Sequence, residues 1–223
     1  MGFAGFTLII GFMRRVPVDA LSPDVTLIQE AAAVIRSDGV VALPTDTLYG
    51  LAVDPCHPEA VARLFEAKGR PAGRALPLVA ADASQVACWI GPLSPAARRL
   101  ADRFWPGPLT LLVTAPSALA PGVAAGTGRV GIRVPAHAVA RALCAACGHP
   151  LTATSANLSG EPASADPGDV ARALEGRIDL LLDAGRTAGG EPSTIVDASG
   201  PELRLVREGA IPWAEIAACV ARG

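Results

Sequence analysis

Short apolar runs and amphipathic helical segments alternate along this sequence, and this alternation restricts its fold more than any other feature. Apolar residues at helical spacing predict helices at 24–36, 57–69, 82–89, 94–104, 136–146, 167–175 and 212–221. Short apolar runs predict strands within 40–44, 75–81, 108–115, 129–135, 150–154, 178–184, 193–199 and 202–208. Some neighbouring strands lack a crossover helix, so the sheet should mix parallel and antiparallel pairs. We therefore expect a single-domain α/β fold with one twisted mixed β-sheet and flanking helices.

The composition is that of one packed domain. Of the 223 residues, 51% are hydrophobic but only 4% are aromatic, so Ala, Val, Leu and Ile must supply most of the core. No linker separates two halves, and we expect residues 21–218 to form the domain. Residues 1–20 are expected to be an N-terminal extension that is either disordered or an edge strand. Met13 is an alternative initiator to Met1.

The N-terminus and the cysteines bear on where the protein works. The apolar segment 1–12 is too short to span a bilayer and lacks the basic residues that open a signal peptide. Five scattered cysteines are typical of reduced thiols, so we expect a cytoplasmic protein without membrane association. Cys144, Cys147 and His149 resemble half of a zinc site or a redox pair, but a second ligand pair is missing from the sequence. We expect buried helix-end cysteines, no metal site and structural roles for the histidines.

Lys68 is the only lysine in a chain whose other basic residues are all arginines. It opens the segment KGRPAGR, in which Arg70 and Arg74 bring the number of cations to three within seven residues. Such cations repel one another unless an anion lies between them. A planar guanidinium and a compact ammonium both suit phosphate oxygens, so the segment fits a polyphosphate clamp, although it is not a P-loop. The alternative is a solvated basic helix end favoured by the helix dipole.

Two further polar features interrupt the apolar pattern between residues 44 and 135. The segment PTDTLYGLAVDP at 44–55 places Thr45, Asp46 and Thr47 directly after a buried strand. These side chains either bind a small polar ligand or close a tight turn on their own backbone. Arg133 lies within the apolar strand GIRVP, where it either points outward or meets an anion, because burying a lone cation is costly.

Comparable polar side chains occur after residue 150. The segment TATSANLSGEPAS at 152–164 includes Ser155 and Asn157 within a dense array of donors and acceptors. Its hydroxyls and successive backbone N–H groups make a plausible anion-binding nest. Ser193 and Arg207 occupy similar polar positions in EPSTIVDAS and LVREGAI.

Six of these segments, in order, carry a family resemblance. VVALPTDTLYGLAVDP, KGRP, GIRVPAH, TSANLSGEPA, PSTIVD and VREGAI resemble the signature segments of the YrdC-like threonylcarbamoyl-AMP synthases, in their short single-domain form. The resemblance implies a twisted mixed α/β sheet with a positively charged concave cleft. It also implies a nucleotidyltransferase that forms threonylcarbamoyl-AMP and pyrophosphate from L-threonine, bicarbonate or CO2, and ATP. Mg2+ would accompany the ATP, and downstream tRNA threonylcarbamoyl transferase proteins would pass the group to an adenosine of tRNA.

The resemblance also implies roles for individual residues. Lys68 and Arg70 match the family's KxR motif, while Ser155 and Asn157 match its SxN motif, and these four would be catalytic. The ATP contacts would come from Lys68, Arg70, Asn157 and Arg207, and the threonine contacts from Thr45, Arg133, Ser155 and Ser193.

The sequence departs from the family pattern at two positions, and alternatives remain. Arg74 and Ala75 stand where many relatives have an asparagine before the following PL, and Arg129 stands where a threonine is common. Arg74 would add a phosphate contact, whereas Arg129 is not assigned. An RNA-binding YrdC-like module without catalysis is the alternative function, with weak RNA binding as a further property of the synthase. The net charge of -2 and the absence of RRM and KH motifs count against the module. The carbamoyl-transfer domain of hydrogenase maturation proteins is a second alternative, but it belongs to longer chains with zinc-finger-like segments.

Overall fold

Seven helices and eleven strands make up the part of the chain that this computed structural model describes, residues 12–69, 73–200 and 202–221. Helices α1 to α7 span Val25–Arg36, Pro58–Ala67, Ala83–Ile90, Pro95–Phe104, Ala138–Cys147, Pro167–Leu174 and Trp213–Ala221. Strands β1 to β11 span Arg14–Pro17, Val41–Leu43, Gly50–Ala52, Leu78–Val79, Leu109–Thr114, Arg129–Arg133, Leu151–Thr152, Thr154–Ser155, Leu180–Asp183, Thr194–Asp197 and Arg204–Arg207. The seven predicted helices are confirmed, with shifts of a few residues at their ends.

The strands form two mixed sheets. The five-stranded sheet has the order β1-β9-β2-β3-β8, in which β9 pairs parallel to both β1 and β2 and the other pairs are antiparallel. The six-stranded sheet has the order β11-β10-β5-β6-β4-β7, with parallel pairs β10–β5 and β4–β6. The prediction of a single-domain mixed α/β fold is confirmed, but the strands divide between two sheets where we predicted one.

The segment 151–155 connects the two sheets. Its first half, β7, is an edge strand of the six-stranded sheet, and its second half, β8, is an edge strand of the five-stranded sheet. Ala153 lies between them and donates its N–H to the carbonyl of Pro77 at 2.8 Å. We predicted one strand here, and the chain makes two because each half bonds to a different partner strand.

Strand β3 was not predicted. Residues Gly50–Ala52 lie within the segment that the sequence indicated to be a polar loop. All three residues are buried, and they pair with β2 on one side and β8 on the other. Three residues are too few to show an alternating pattern, so only the tertiary pairing defines this strand.

The core lies on both faces of the five-stranded sheet, because side chains alternate along each strand. Val41 and Leu43 of β2 face a cluster formed with α1 and α5, which pack against each other. Ala42 faces the opposite way, into a larger cluster that includes Leu111 of β5 and Ile132 of β6. Within the described ranges, no helix is long and apolar enough to cross a membrane.

Local sequence signals account for the helix that lies closest to the N-terminus. Asp24 caps α1 by accepting hydrogen bonds from the backbone N–H groups of Thr26 and Leu27 at 2.7 and 3.1 Å. Ahead of this helix, Arg14–Pro17 forms the edge strand β1, paired with β9. Of the two alternatives predicted for the extension, disorder or an edge strand, the structure shows an edge strand at 14–17. Residues 1–11 lie outside the described part of the chain.

Candidate active site

Lys68 ends helix α2 and is buried, with 3% of its surface exposed. Leu64 and Phe65 of α2 are buried in the core, and this packing orients the end of the helix that carries Lys68. The Lys68 ammonium donates hydrogen bonds to the main-chain oxygens of Ser155 and, at 2.9 Å, Asn157. The side-chain oxygen of Asn157 lies 3.4 Å away. The ammonium therefore faces the turn after β8.

The turn at 155–157 is held from several sides. The Asn157 amide nitrogen donates to the carbonyls of Leu158 at 2.8 Å and Glu161 at 2.6 Å. In return, the backbone N–H of Ser159 donates to the Lys68 carbonyl at 2.9 Å. The structure therefore brings Lys68, Ser155 and Asn157 together, and we call these three residues the lysine cluster.

A cavity of about 490 Å³ opens beside this cluster. It is lined by 156–157 and 161–164 together with Asp169, Arg172 and Ala173 of α6. Its volume lies in the usual range of roughly 300–1,000 Å³ for sites that hold small ligands.

The loop between β2 and β3 forms a tight turn. The Thr45 hydroxyl donates to the carbonyl of Leu48 at 2.7 Å and accepts from the backbone N–H of Thr47 at 3.2 Å. The turn interpretation of this segment is therefore confirmed, and Thr45 is buried within it. The loop then reaches the lysine cluster, because the Tyr49 carbonyl accepts from the N–H of Ala156 at 2.9 Å.

Arg133, at the end of β6, forms a buried ion pair with Asp46. Only 8% of its surface is exposed, and its Nη1 lies 3.4 Å from Asp46 Oδ1. Among the described residues, neither carboxylate oxygen of Asp46 has a hydrogen-bond partner, and neither does Nη1 of Arg133. Burial lowers the pKa of Arg133, the Asp46 charge opposes this, and the positive charge of Arg207 lowers it further.

Ser193 and Arg207 lie together at the start of β10 and the end of β11. The Arg207 guanidinium donates to the Ser193 carbonyl at 2.7 Å, and the hydroxyls of Ser193 and Thr110 are 2.9 Å apart. The positive charge of Arg207 contributes to the lowered pKa of Arg133, which is the link between these groups and the ion pair. We call Asp46, Arg133, Ser193 and Arg207 the arginine cluster.

Three other arginines named from the sequence lie elsewhere or outside the description. Arg70 is outside the described residues, so its assignment to phosphate stays a prediction. Arg74 is exposed. Arg129 forms an ion pair with Asp197.

Three polar residues of this region were not assigned a ligand contact of their own from the sequence. Asp46 was named only together with Thr45 and Thr47, in a segment that either binds a small polar ligand or closes a turn. His137 caps α5, where its Nδ1 accepts from the N–H of Val139 at 3.3 Å; burial lowers its pKa and the Asp46 charge opposes this shift. Thr110 carried no signal, since it lies in an apolar strand.

The remaining histidines and the cysteines lie outside both clusters. His149 pairs with Asp54 at 3.1 Å, and His57 pairs with Asp38 at 2.8 Å. Cys144 is buried, Cys147 is half-buried at the end of α5, and Cys56 is half-buried. Among the described residues, no group of three or more His, Cys, Asp or Glu side chains could hold a metal ion.

Comparisons with known proteins point to one family. The family model Sua5/YciO/YrdC, described as "Telomere recombination", matches residues 33–209. A curated protein named threonylcarbamoyl-AMP synthase from Bacillus subtilis is 42% identical over 91% of this chain and 59% of its own length. One of the same name from Pyrococcus abyssi is 38% identical, covering 85% of this chain and 56% of its own length. A third, from Halorhodospira halophila, is 41% identical and is covered over 93% of its length. This chain thus spans less than two thirds of the first two relatives and nearly all of the third.

Solved structures named Sua5 and YciO also superpose on this chain. Sua5 of P. abyssi complexed with L-threonine superposes with a TM-score of 0.87 at 35% identity, covering 93% of this chain and 61% of that one. YciO of Escherichia coli superposes with a TM-score of 0.81 at 27% identity, covering 90% and 97%.

Proposed function

The chain belongs to the Sua5/YciO/YrdC family, and we propose that it is an L-threonylcarbamoyladenylate synthase. In this proposal it converts L-threonine, bicarbonate or CO2, and ATP into threonylcarbamoyl-AMP and pyrophosphate. The names of the curated relatives support this activity over an RNA-binding module without catalysis. The structural observation that carries the proposal is the buried ion pair of Arg133 with Asp46 in the arginine cluster, where Nη1 of Arg133 has no hydrogen-bond partner among the described residues.

The arginine cluster suits the carboxylate of threonine. Its formal charge with two arginines and one aspartate is positive, so an added anion is attracted. A buried guanidinium with an unused N–H is costly unless a ligand pairs with it. We assign the carboxylate to Arg133, with Ser193 beside it, as the sequence predicts. Thr45, whose hydroxyl is already bonded within its turn, would border the same ligand.

The lysine cluster suits the nucleotide. We propose that Lys68, Arg70 and Asn157 contact the ATP phosphates, with Ser155 at the reacting carbamate and Arg207 beside the nucleotide. The cavity next to Asn157 offers room for the rest of the nucleotide. Mg2+ is proposed to arrive on the triphosphate, whose oxygens it prefers.

The chemistry needs two bond-forming steps. Bicarbonate takes up a proton and loses water to give CO2. The threonine ammonium loses a proton, the resulting amine attacks CO2, and loss of a second N–H proton gives the carbamate. A carbamate oxygen then attacks the α-phosphorus of ATP, the bond from that phosphorus to the β-phosphate bridging oxygen breaks, and pyrophosphate leaves. Both attacking and attacked groups are anionic, so fixed cations would act by positioning them and by stabilising the developing charge. Downstream tRNA threonylcarbamoyl transferases, in the cytoplasm, would consume the product.

The test is the full reaction with its omission controls. Purified protein is incubated with ATP, bicarbonate and threonine, and the acyl-adenylate is sought by mass spectrometry while pyrophosphate is measured. We expect both products only when all three substrates are present. Pyrophosphate release that does not depend on threonine, or RNA binding without any adenylate, would overturn the proposal.

A further inference from the structure

Asp46 is the least satisfied charged group in the arginine cluster. Both of its oxygens are shielded from solvent, and neither accepts a hydrogen bond from any residue in the described part of the chain. Its one ionic neighbour, Arg133, lies at 3.4 Å, whereas charge-assisted hydrogen bonds are usually about 2.7–2.9 Å long. The pair is therefore loose, and the carboxylate has unused acceptor capacity on both oxygens.

Among the described residues, none donates a hydrogen bond to Asp46. Burial lowers the pKa of His137 although the Asp46 charge opposes the shift, and its Nδ1 accepts from Val139, so the N–H of the neutral ring lies on Nε2 and is not bonded to either Asp46 oxygen. The Thr45 hydroxyl, next along the chain, points its hydrogen to the Leu48 carbonyl. Two carboxylate oxygens accept about four hydrogen bonds when fully used. A ligand with several N–H donors would fill this capacity.

Arg133 and Asp46 together present opposite charges with open hydrogen-bonding capacity on both partners. The Nη1 of Arg133 is free to donate, and both oxygens of Asp46 are free to accept. A molecule with a carboxylate and an ammonium on the same carbon would satisfy both at once. Resting on the proposed function, we propose that Asp46 binds the α-ammonium group of threonine while Arg133 binds its carboxylate. Asp46 is thereby a substrate-binding residue that selects an α-amino acid from other small carboxylates.

The experiment compares two ligands on two proteins by titration calorimetry. The ligands are L-threonine and 2,3-dihydroxybutanoate, in which a hydroxyl replaces the ammonium. The proteins are the wild type and Asp46→Asn, with Asp197→Asn as a matched control because it removes an aspartate from another aspartate–arginine pair. We expect Asp46→Asn to weaken threonine binding at least ~10-fold, about 1.4 kcal/mol, and to weaken the analogue less than ~3-fold. Asp197→Asn should leave both affinities unchanged.

Each other outcome overturns the proposal. An equal loss for both ligands would mean that Asp46 only positions Arg133, and no loss for either would mean that it plays no part in binding. Thermal unfolding of each variant separates loss of binding from loss of fold. If Asp46→Asn does not fold, Asp46→Glu replaces it in the titrations; because this variant keeps the charge, it should still bind threonine more tightly than the analogue. Failure of the wild type to bind threonine at all would instead refute the proposed function and this inference with it.

Discussion

Replacing Lys68 by methionine tests whether this buried ammonium organises the site. Methionine keeps an unbranched stem of similar length but provides no donor. The main-chain and side-chain oxygens of Asn157 would then be buried without the ammonium, while the Ser155 oxygen is only part-buried and can meet water. Each buried acceptor left unsatisfied costs ~1–3 kcal/mol. With Ser155 left out because it can meet water, the two Asn157 acceptors should lower the free energy of unfolding by about 2–6 kcal/mol.

The measurement is urea unfolding of the wild type and Lys68→Met, with Arg63→Lys as the control. Arg63 lies on the same helix in an exposed pair with Asp179, so exchanging its cation should change stability by less than ~0.5 kcal/mol. A Lys68→Met protein within ~1 kcal/mol of the wild type would refute the argument, because a cost of that size cannot come from unsatisfied buried carbonyls.

The same position tests catalysis through Lys68→Arg. The charge is kept, but a planar guanidinium must fit a site that is 3% exposed and shaped for a compact ammonium. We expect threonine- and bicarbonate-dependent pyrophosphate release to fall at least ~10-fold, about 1.4 kcal/mol of barrier. Near-normal turnover would contradict the shape argument while leaving the stability argument standing.

Three further predictions concern stability and reactivity. Burial alone would lower the pKa of His149, but its hydrogen bond with Asp54 outweighs burial, and the pKa is raised. The stabilisation from this pair is therefore fully present below pH 6.5 and is lost as the pH rises through the folded-state pKa. The pKa of Asp54 is lowered below 3.8 by His149 despite its burial, so acid removes the contribution only below that value. The difference in unfolding free energy between the wild type and His149→Gln should therefore shrink from pH 6 to pH 9; a constant difference would contradict the pairing. Native protein treated with iodoacetamide should be labelled at exposed Cys88 and not at Cys144, whose burial raises its pKa, and peptide mapping that finds label on Cys144 would argue against its position in the core. Asp24→Ala should lower the unfolding free energy by ~1 kcal/mol through loss of the α1 cap, and an unchanged urea midpoint would show that the cap is not used.

The helices could be predicted because their signals are local. Helix α1 begins after Asp24 and ends at Arg36, before Ser37 and Gly39, and the sequence carries both its start and its end. The arrangement of the sheets could not be predicted in the same way. The pairing of Gly50–Ala52 with Thr154–Ser155 joins segments about a hundred residues apart, and nothing in three residues specifies that partner.

The lysine cluster shows where sequence reasoning about the site stops. The family resemblance named Lys68, Ser155 and Asn157, and the structure places them in contact. The resemblance did not predict that the ammonium contacts main-chain oxygens. Every residue has a main-chain carbonyl, so residue identity does not indicate which carbonyls the ammonium contacts. The sequence placed Asp46 in a polar segment but gave it no contact of its own, because the role proposed for it depends on hydrogen bonds that it lacks among the described residues.

The two clusters differ in a way that bears on how substrates would bind. The Lys68 ammonium already faces three oxygens of described residues, so a phosphate oxygen that binds it would compete with protein contacts. Arg133 and Asp46 hold hydrogen-bonding groups that no other described residue uses, so a zwitterion that binds there as proposed would displace none of these residues. Binding at the arginine cluster would therefore recover a cost that the folded protein already carries, whereas binding at the lysine cluster would trade one set of contacts for another. On this reasoning the proposed amino-acid site would be preorganised, and the proposed nucleotide site would complete its geometry when the phosphates arrive.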